Sequence, residues 1–332
     1  MTMMTISDAK KIKGAVKIVR TCANVQPDEK VLILTDTKTL RVGELVAMAA
    51  LQITEDAVLA VITPRSGHGD EPPAHIASAM SQSDVIIMPL RFSMTHASAT
   101  REARQRGART ISMGDYNERM LEEGGIEADF FKLEKVVNRV AEVFTQGKIA
   151  KVTTPGGTEL RMDIAGRKGF SEPGFAHSPG STASPPNIEA NVGPLEGSAA
   201  GVIVVDGSIP HPALGVVAHP IRIHVKGGKI TEVQGEAQAE TLRRVLREMD
   251  DPNIYGIAEL GVGLNPHSVV SGSMMEDEGA YGTFHIGIGD NTSFGGTVKA
   301  KSHIDLVIHK PTIVIDGETI QQNGELRFSI EE

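Results

Sequence analysis

The chain has 332 residues, 40% of them hydrophobic and 23% charged, with a formal net charge of -9. That acidic balance argues against nucleic acid or an anionic membrane surface as a partner and suits a small-molecule or short-peptide substrate. Cys22 is the single cysteine, which excludes an intrachain disulfide and a thiolate metal cluster, and its helix-like apolar surroundings mark it as a buried structural thiol.

The length suggests two domains. Residues 7–24 carry apolar positions at helical spacing, and Lys30 to Asp36 is a short buried strand. Thr39 to Leu51 reads as a helix, Ala57 to Ile62 as a strand, Pro73 to Ser81 as a helix and Asp84 to Pro89 as a strand. Thr95 to Arg106 is helical, Arg109 to Met113 is a strand, and a helix over Ala128 to Phe144 closes the series. Strands alternating with helices predict a parallel sheet with crossover helices, so an α/β domain of doubly wound, flavodoxin- or Rossmann-like type is expected over 1–146. No Gly-x-Gly-x-x-Gly follows the first strand, where Leu34-Thr35-Asp36-Thr37-Lys38 stands instead.

The pattern changes near Gly147. Ile149 to Thr154 and Thr158 to Ile164 form a hairpin about Pro155-Gly156-Gly157, and residues 166–187, rich in Gly, Ser and Pro, read as a loop. Strands follow at Gly201 to Val205, Ile221 to Val225 and Lys229 to Gln234, then a helix at Ala237 to Met249. Ala258 to Leu264, Thr283 to Ile288, Ile304 to His309 and Thr312 to Ile315 are further strands. This predicts a mostly antiparallel, β-rich α+β domain over 147–332. Met1 to Lys13 contains no continuous apolar run, and no stretch approaches the roughly 18 apolar residues of a membrane span, so a cytoplasmic location is expected.

The second domain sets metal-type side chains on apolar segments. His303 and Asp305, two apart in a strand, face the same way. Glu259 lies inside an apolar strand, where a carboxylate is costly unless it is paired or bound to metal. Glu189 and His285 sit in similar surroundings. Three carboxylates and two imidazoles suit Zn²⁺, Mn²⁺, Co²⁺ or Fe²⁺ and suffice for one metal or for two sharing a carboxylate.

At these residues the chain resembles the aminopeptidase T family of metallopeptidases. Glu189 with Pro194 and Glu196-Gly197-Ser198 looks like that family's first glutamate motif, and Ala258 to Pro266 is close to its second. Gly282-Thr283-Phe284-His285 looks like its first histidine motif and His303-Ile304-Asp305 like its His-x-Asp. The resemblance implies an α/β domain before a β-rich one, a homodimer, and Glu189, Glu259, His285, His303 and Asp305 as ligands of a two-metal site. Thr292 stands where the peptidases carry a tyrosine. A second branch of the superfamily, the 2,5-dihydroxypyridine 5,6-dioxygenases, has a run similar to Gly289 to Gly296. That branch implies one Fe²⁺ held at positions matching Glu259, His303 and Asp305, with histidine in the Glu259 place, and it lacks counterparts of Glu189 and His285.

The expected function is therefore a metal-dependent, aminopeptidase-like hydrolase in which activated water attacks an amide or peptide bond. Glu196 and Glu278 are candidates to take the proton, with Thr292 in place of the oxyanion-donating tyrosine. The alternative is a mononuclear Fe²⁺ ring-cleaving dioxygenase acting on a hydroxylated pyridine or similar aromatic, with His96 and His177 binding substrate or moving protons. His96 also matches a histidine of that branch. A binding protein without catalysis is disfavoured by five metal-type residues in one domain.

Overall fold

The structure, a computed structural model, describes residues 6–327. In chain order the first elements are α1 (Ile6–Lys17) with a π-helical turn (Ile18–Cys22), β1 (Val31–Asp36), α2 (Leu40–Ala50), β2 (Ala57–Ile62), α3 (Ala74–Met80), β3 (Val85–Leu90), α4 (Ser98–Gln105) and β4 (Arg109–Gly114). α5 (Arg119–Glu122) and α6 (Phe130–Gln146) follow, then β5 (Ile149–Thr153), β6 (Glu159–Asp163), β7 (Gly169–Glu172), β8 (Thr182–Ala183), β9 (Glu189–Val192), β10 (Ala200–Val205), β11 (Ser208–Ile209), β12 (Gly215–Val216), β13 (Ile221–Lys226) and β14 (Lys229–Gln234). The last elements are α7 (Ala237–Glu248), β15 (Ile257–Gly263), α8 (Met274–Asp277), β16 (Thr283–Gly289), β17 (His303–His309), β18 (Thr312–Ile315), β19 (Glu318–Gln322) and β20 (Glu325–Leu326).

Contacts divide the chain into two units, Met1–Phe130 with Gly174–Pro186, and Phe131–Pro173 with Asn187–Glu332. The first unit holds a parallel sheet in the order β2-β1-β3-β4-β8, the doubly wound arrangement of flavodoxin type. β1, β3 and β4 are buried along their whole lengths, as strands covered by helices on both faces must be. On one face Leu32, Leu34, Ile86, Met88 and Leu90 form a core with Ile76 and Met80 of α3 and Ala99 and Ala103 of α4. The fold class expected from the sequence is thus the one observed.

The crevice where β1 and β3 diverge is the usual ligand position of such sheets. Here the chain fills it with its own carboxylate. Asp36, 1% exposed, accepts the N–H groups of Lys38 at 2.7 Å, Thr39 at 3.3 Å and Arg91 at 2.6 Å. Asp36→Ala would leave these donors without a charged acceptor and is expected to destabilise the protein by about 3 kcal/mol, measured by chemical denaturation.

The second unit contains two mainly antiparallel sheets, ordered β14-β13-β10-β6-β5-β18-β19-β20 and β12-β11-β17-β16-β15-β9-β7. α6 rests against β7 so closely that a Cβ on Gly169 would lie 2.1 Å from the Ala141 carbonyl oxygen. The stretch 166–187, read as a loop from its Gly, Ser and Pro content, holds two short strands instead. β7 pairs with β9, and β8 extends the parallel sheet beside β4. Their pairing partners are remote in sequence, so local composition did not reveal them. Among the described residues no helix is long and apolar enough to cross a membrane.

Candidate metal centre

The centre is built on one face of the seven-stranded sheet. Alternation along β15, β16 and β17 sends Leu260, Val262, Phe284, Ile286, Ile288, Ile304, Leu306 and Ile308 to the opposite face, where all are buried. The remaining positions carry Glu259, His285, His303 and Asp305, interleaved with glycines. Gly261 pairs with His285, while Gly287 pairs with Glu259 on one side and Asp305 on the other. A Cβ on Gly261 would come 2.0 Å from His285 Nε2, and one on Gly287 would come 2.4 Å from His303 Cε1. The glycines therefore provide the clearance over which both imidazoles lie. β9 contributes Glu189 to this cluster, and the β7–β9 register brings Glu172 beside it.

Glu259 is central. Its Oε1 lies 3.5 Å from His285 Nε2, and its Oε2 lies 3.0 Å from His303 Nε2. Glu189 Oε2 is 3.4 Å from His285 Nε2, and Asp305 Oδ1 is 3.2 Å from His303 Nε2. Ligand atoms of Glu189, Glu259 and His285 lie within 4.8 Å of one another, as do those of Glu259, His303 and Asp305. The first group is sealed, whereas the His303 side chain retains 23% exposure, so the second group is the more open.

The cluster holds more negative than positive groups. Burial raises the Glu189 carboxyl, with Glu172 and Glu259 adding to the rise against the pull of His285. Burial likewise raises Glu172, reinforced by Glu259, and raises Glu278, reinforced by Asp305, Glu189 and Glu259. Burial would lower His285, but Glu189 and Glu259 outweigh it and push the imidazole up to about 10. Asp305 is held low despite burial because His303 and His285 stand beside it. Glu189 Oε2 and Glu259 Oε1 are buried without a hydrogen-bond partner. A polar atom in that condition is costly, and a divalent cation removes the cost. The oxygen and imidazole donor set fits a divalent metal of the Zn, Mn, Co or Fe kind.

Glu189, Glu259, His285, His303 and Asp305 thus come together on one sheet face. Glu278, the second candidate proton acceptor, is buried beside Asp305 in the same cluster, and the other candidates stand elsewhere. Glu196 is bound to Thr297, Asn291 and Arg167. Burial would raise its carboxyl, but the Thr297 N–H, Asn291 and Arg167 hold it at about 2, so it is a poor proton acceptor at neutral pH. Thr292 is exposed and caps its own turn, its Oγ1 donating to Asp290 Oδ1 at 2.5 Å. His96 is an exposed residue just before α4 in the first unit. His177, also in the first unit, has Nε2 2.7 Å from the Thr21 carbonyl oxygen, and its ring packs 4.4 Å from that of Phe175.

The sequence did not point to Glu172 or Asn191. Asn191 donates to Glu189 Oε1 at 3.0 Å and to Glu172 Oε1 at 3.3 Å, which orients both carboxylates. Its spacing of two from Glu189 was a usable signal for a shared strand face. Glu172 had none, because only the pairing of β7 with β9 places it here.

A sequence model of the family described as 2,5-dihydroxypyridine 5,6-dioxygenase matches residues 12–328. The 2,5-dihydroxypyridine 5,6-dioxygenase of Pseudomonas putida KT2440 is 28% identical over 191 residues, covering 54% of this chain and 55% of that protein. The match therefore spans about half the length of that curated relative. The solved structure of 2,5-dihydroxypyridine dioxygenase from P. putida KT2440 superposes with a TM-score of 0.82 at 20% identity, over 97% of this chain and 98% of that one. AmpT from Thermus thermophilus superposes with a TM-score of 0.65 at 15% identity, over 96% of this chain and 99% of that one. The relation to the aminopeptidase T fold holds, but the expected aminopeptidase-like hydrolase does not: the family match and the curated relative are both to dioxygenases. The reason is that ligand types identify a metal-binding sheet face and not the reaction run upon it.

Proposed function

The chain belongs to the 2,5-dihydroxypyridine 5,6-dioxygenase family, and we propose that it opens a hydroxylated pyridine, or a closely similar aromatic ring, with O₂. The observation that carries this reading is the family match over residues 12–328, which includes every residue of the metal centre. Glu259, His303 and Asp305 are the residues proposed to hold the working metal, because their group is the more open of the two. A ferrous ion there would supply the one-electron chemistry that lets O₂ react with a closed-shell ring.

The remaining contributions come from the chain itself. Two carboxylates in this group, where the family resemblance implies one carboxylate and two imidazoles, make a harder and more anionic site. The Phe294 ring lies 5.0 Å from that of His303 and is the aromatic side chain proposed to flank a planar substrate. Behind Glu259, His285 Nε2 stands 3.5 Å from its inner oxygen and 3.4 Å from Glu189 Oε2, so the imidazole lies between the two carboxylates.

The test is O₂ uptake by protein loaded anaerobically with Fe²⁺ and mixed with 2,5-dihydroxypyridine. The expected result is one O₂ consumed per ring lost, read by an oxygen electrode and by loss of the aromatic absorption band. Fully iron-loaded protein that consumes neither O₂ nor substrate would sink the reading.

A further inference from the structure

Residues 290–302 join β16 to β17 and deliver His303 into the centre, and two side chains outside both metal groups set their shape. Glu196 accepts on Oε1 from the Thr297 N–H at 2.9 Å, Asn291 Nδ2 at 3.0 Å and Thr297 Oγ1 at 3.3 Å. Its Oε2 is paired with Arg167, whose other guanidinium nitrogen donates to the Gly295 carbonyl. One carboxylate and one guanidinium therefore grip the loop at three residues, Asn291, Gly295 and Thr297.

Inside the loop Asn291, 1% exposed, completes the grip. Its Oδ1 accepts from the Val298 N–H at 2.8 Å, and its carbonyl accepts from Phe294 and Gly296, each at 3.0 Å. A Cβ on Gly296 would fall 2.1 Å from the Asn291 carboxamide carbon, so glycine is required there. The loop then meets His303 twice, through the Asp290 carbonyl oxygen 2.7 Å from Nδ1 and through the Phe294 ring. A carbonyl oxygen can only accept. Nδ1 therefore carries a hydrogen, and Nε2 is the nitrogen turned to Glu259 and Asp305.

We propose that Glu196, together with Arg167, is a positioning residue of the metal centre, clamping the 290–302 loop so that Asp290 and Phe294 aim His303 Nε2 at Glu259 and Asp305. This goes beyond the reaction proposed above and does not depend on its substrate. Glu196 acts through the backbone of the loop and not on a reacting atom. A polar network of this kind behind an imidazole ligand fixes both its tautomer and its orientation.

The test compares Glu196→Ala, Glu196→Gln and Arg167→Ala in the full chain. Co²⁺ binding is followed by visible absorption and by competition with a chromophoric chelator, and hydrogen exchange over residues 290–302 is measured on metal-free protein. Glu196→Ala is expected to weaken Co²⁺ binding about ten- to a hundredfold, to alter the Co²⁺ absorption band and to speed exchange at Thr297 and Val298, with unchanged far-UV circular dichroism. Glu196→Gln keeps an oxygen for Thr297 and Asn291 and is expected to bind Co²⁺ more tightly than Glu196→Ala. Wild-type affinity and exchange in Glu196→Ala overturn the proposal. Should that variant fail to fold, Arg167→Ala carries the same measurement, and wild-type affinity there overturns it.

Discussion

Glu259→Gln is expected to remove metal binding from the centre as a whole. Glu259 is common to both candidate ligand groups, with one oxygen toward His285 and the other toward His303. Glutamine keeps the shape but offers a single acceptor oxygen, and its amide nitrogen cannot ligate. The loss of affinity should exceed the roughly 10–100-fold typical of changes behind a ligand. Elemental analysis after dialysis against Fe²⁺ under nitrogen reads the outcome directly, with oxygen uptake as a second measure. Glu189→Gln, which touches only the sealed group, should leave the His303 side of the centre able to bind. Metal content unchanged by Glu259→Gln would mean that this carboxylate is not the shared ligand.

Gly287→Ala is the second large effect, and it acts without removing any ligand. The added Cβ would stand 2.4 Å from His303 Cε1, 2.5 Å from Nε2 and 2.8 Å from the Glu259 Cβ. No real Cβ approaches so closely, so the imidazole and the β15 strand must move. Overpacking of this kind costs about 1–3 kcal/mol of stability. The functional loss should be larger, because displacement of His303 opens the Glu259, His303 and Asp305 group. Metal affinity by chelator competition and stability by chemical denaturation separate the two consequences. Gly67→Ala is a fitting control, since a Cβ there meets nothing within 4 Å. Equal metal affinity in Gly287→Ala and the parent protein would show that the ring has room the packing denies.

The centre was partly legible before its geometry was known because its ligands are chemically conspicuous. A glutamate in Ala258-Glu259-Leu260 and a histidine in Phe284-His285-Ile286 are expensive to bury, so their surroundings advertise a purpose. The residues that steer them are inconspicuous. Glu172 sits in a Gly-, Ser- and Pro-rich stretch and reaches Glu189 only through the register of β7 on β9. Glu196, a candidate proton acceptor in the sequence, proves to be committed to Arg167, Asn291 and Thr297.

The parallel α/β sheet, the β-rich second part and the five metal-type side chains are written locally in the chain. Hydrophobic period and residue chemistry are local properties, legible along the chain. That Glu259 faces both imidazoles, that glycines on neighbouring strands clear the space for them, and that Glu196 grips a loop about 100 residues away emerge only once the chain is folded. These depend on strand register and loop closure between remote segments, where a slip of one residue would turn every ligand to the opposite face.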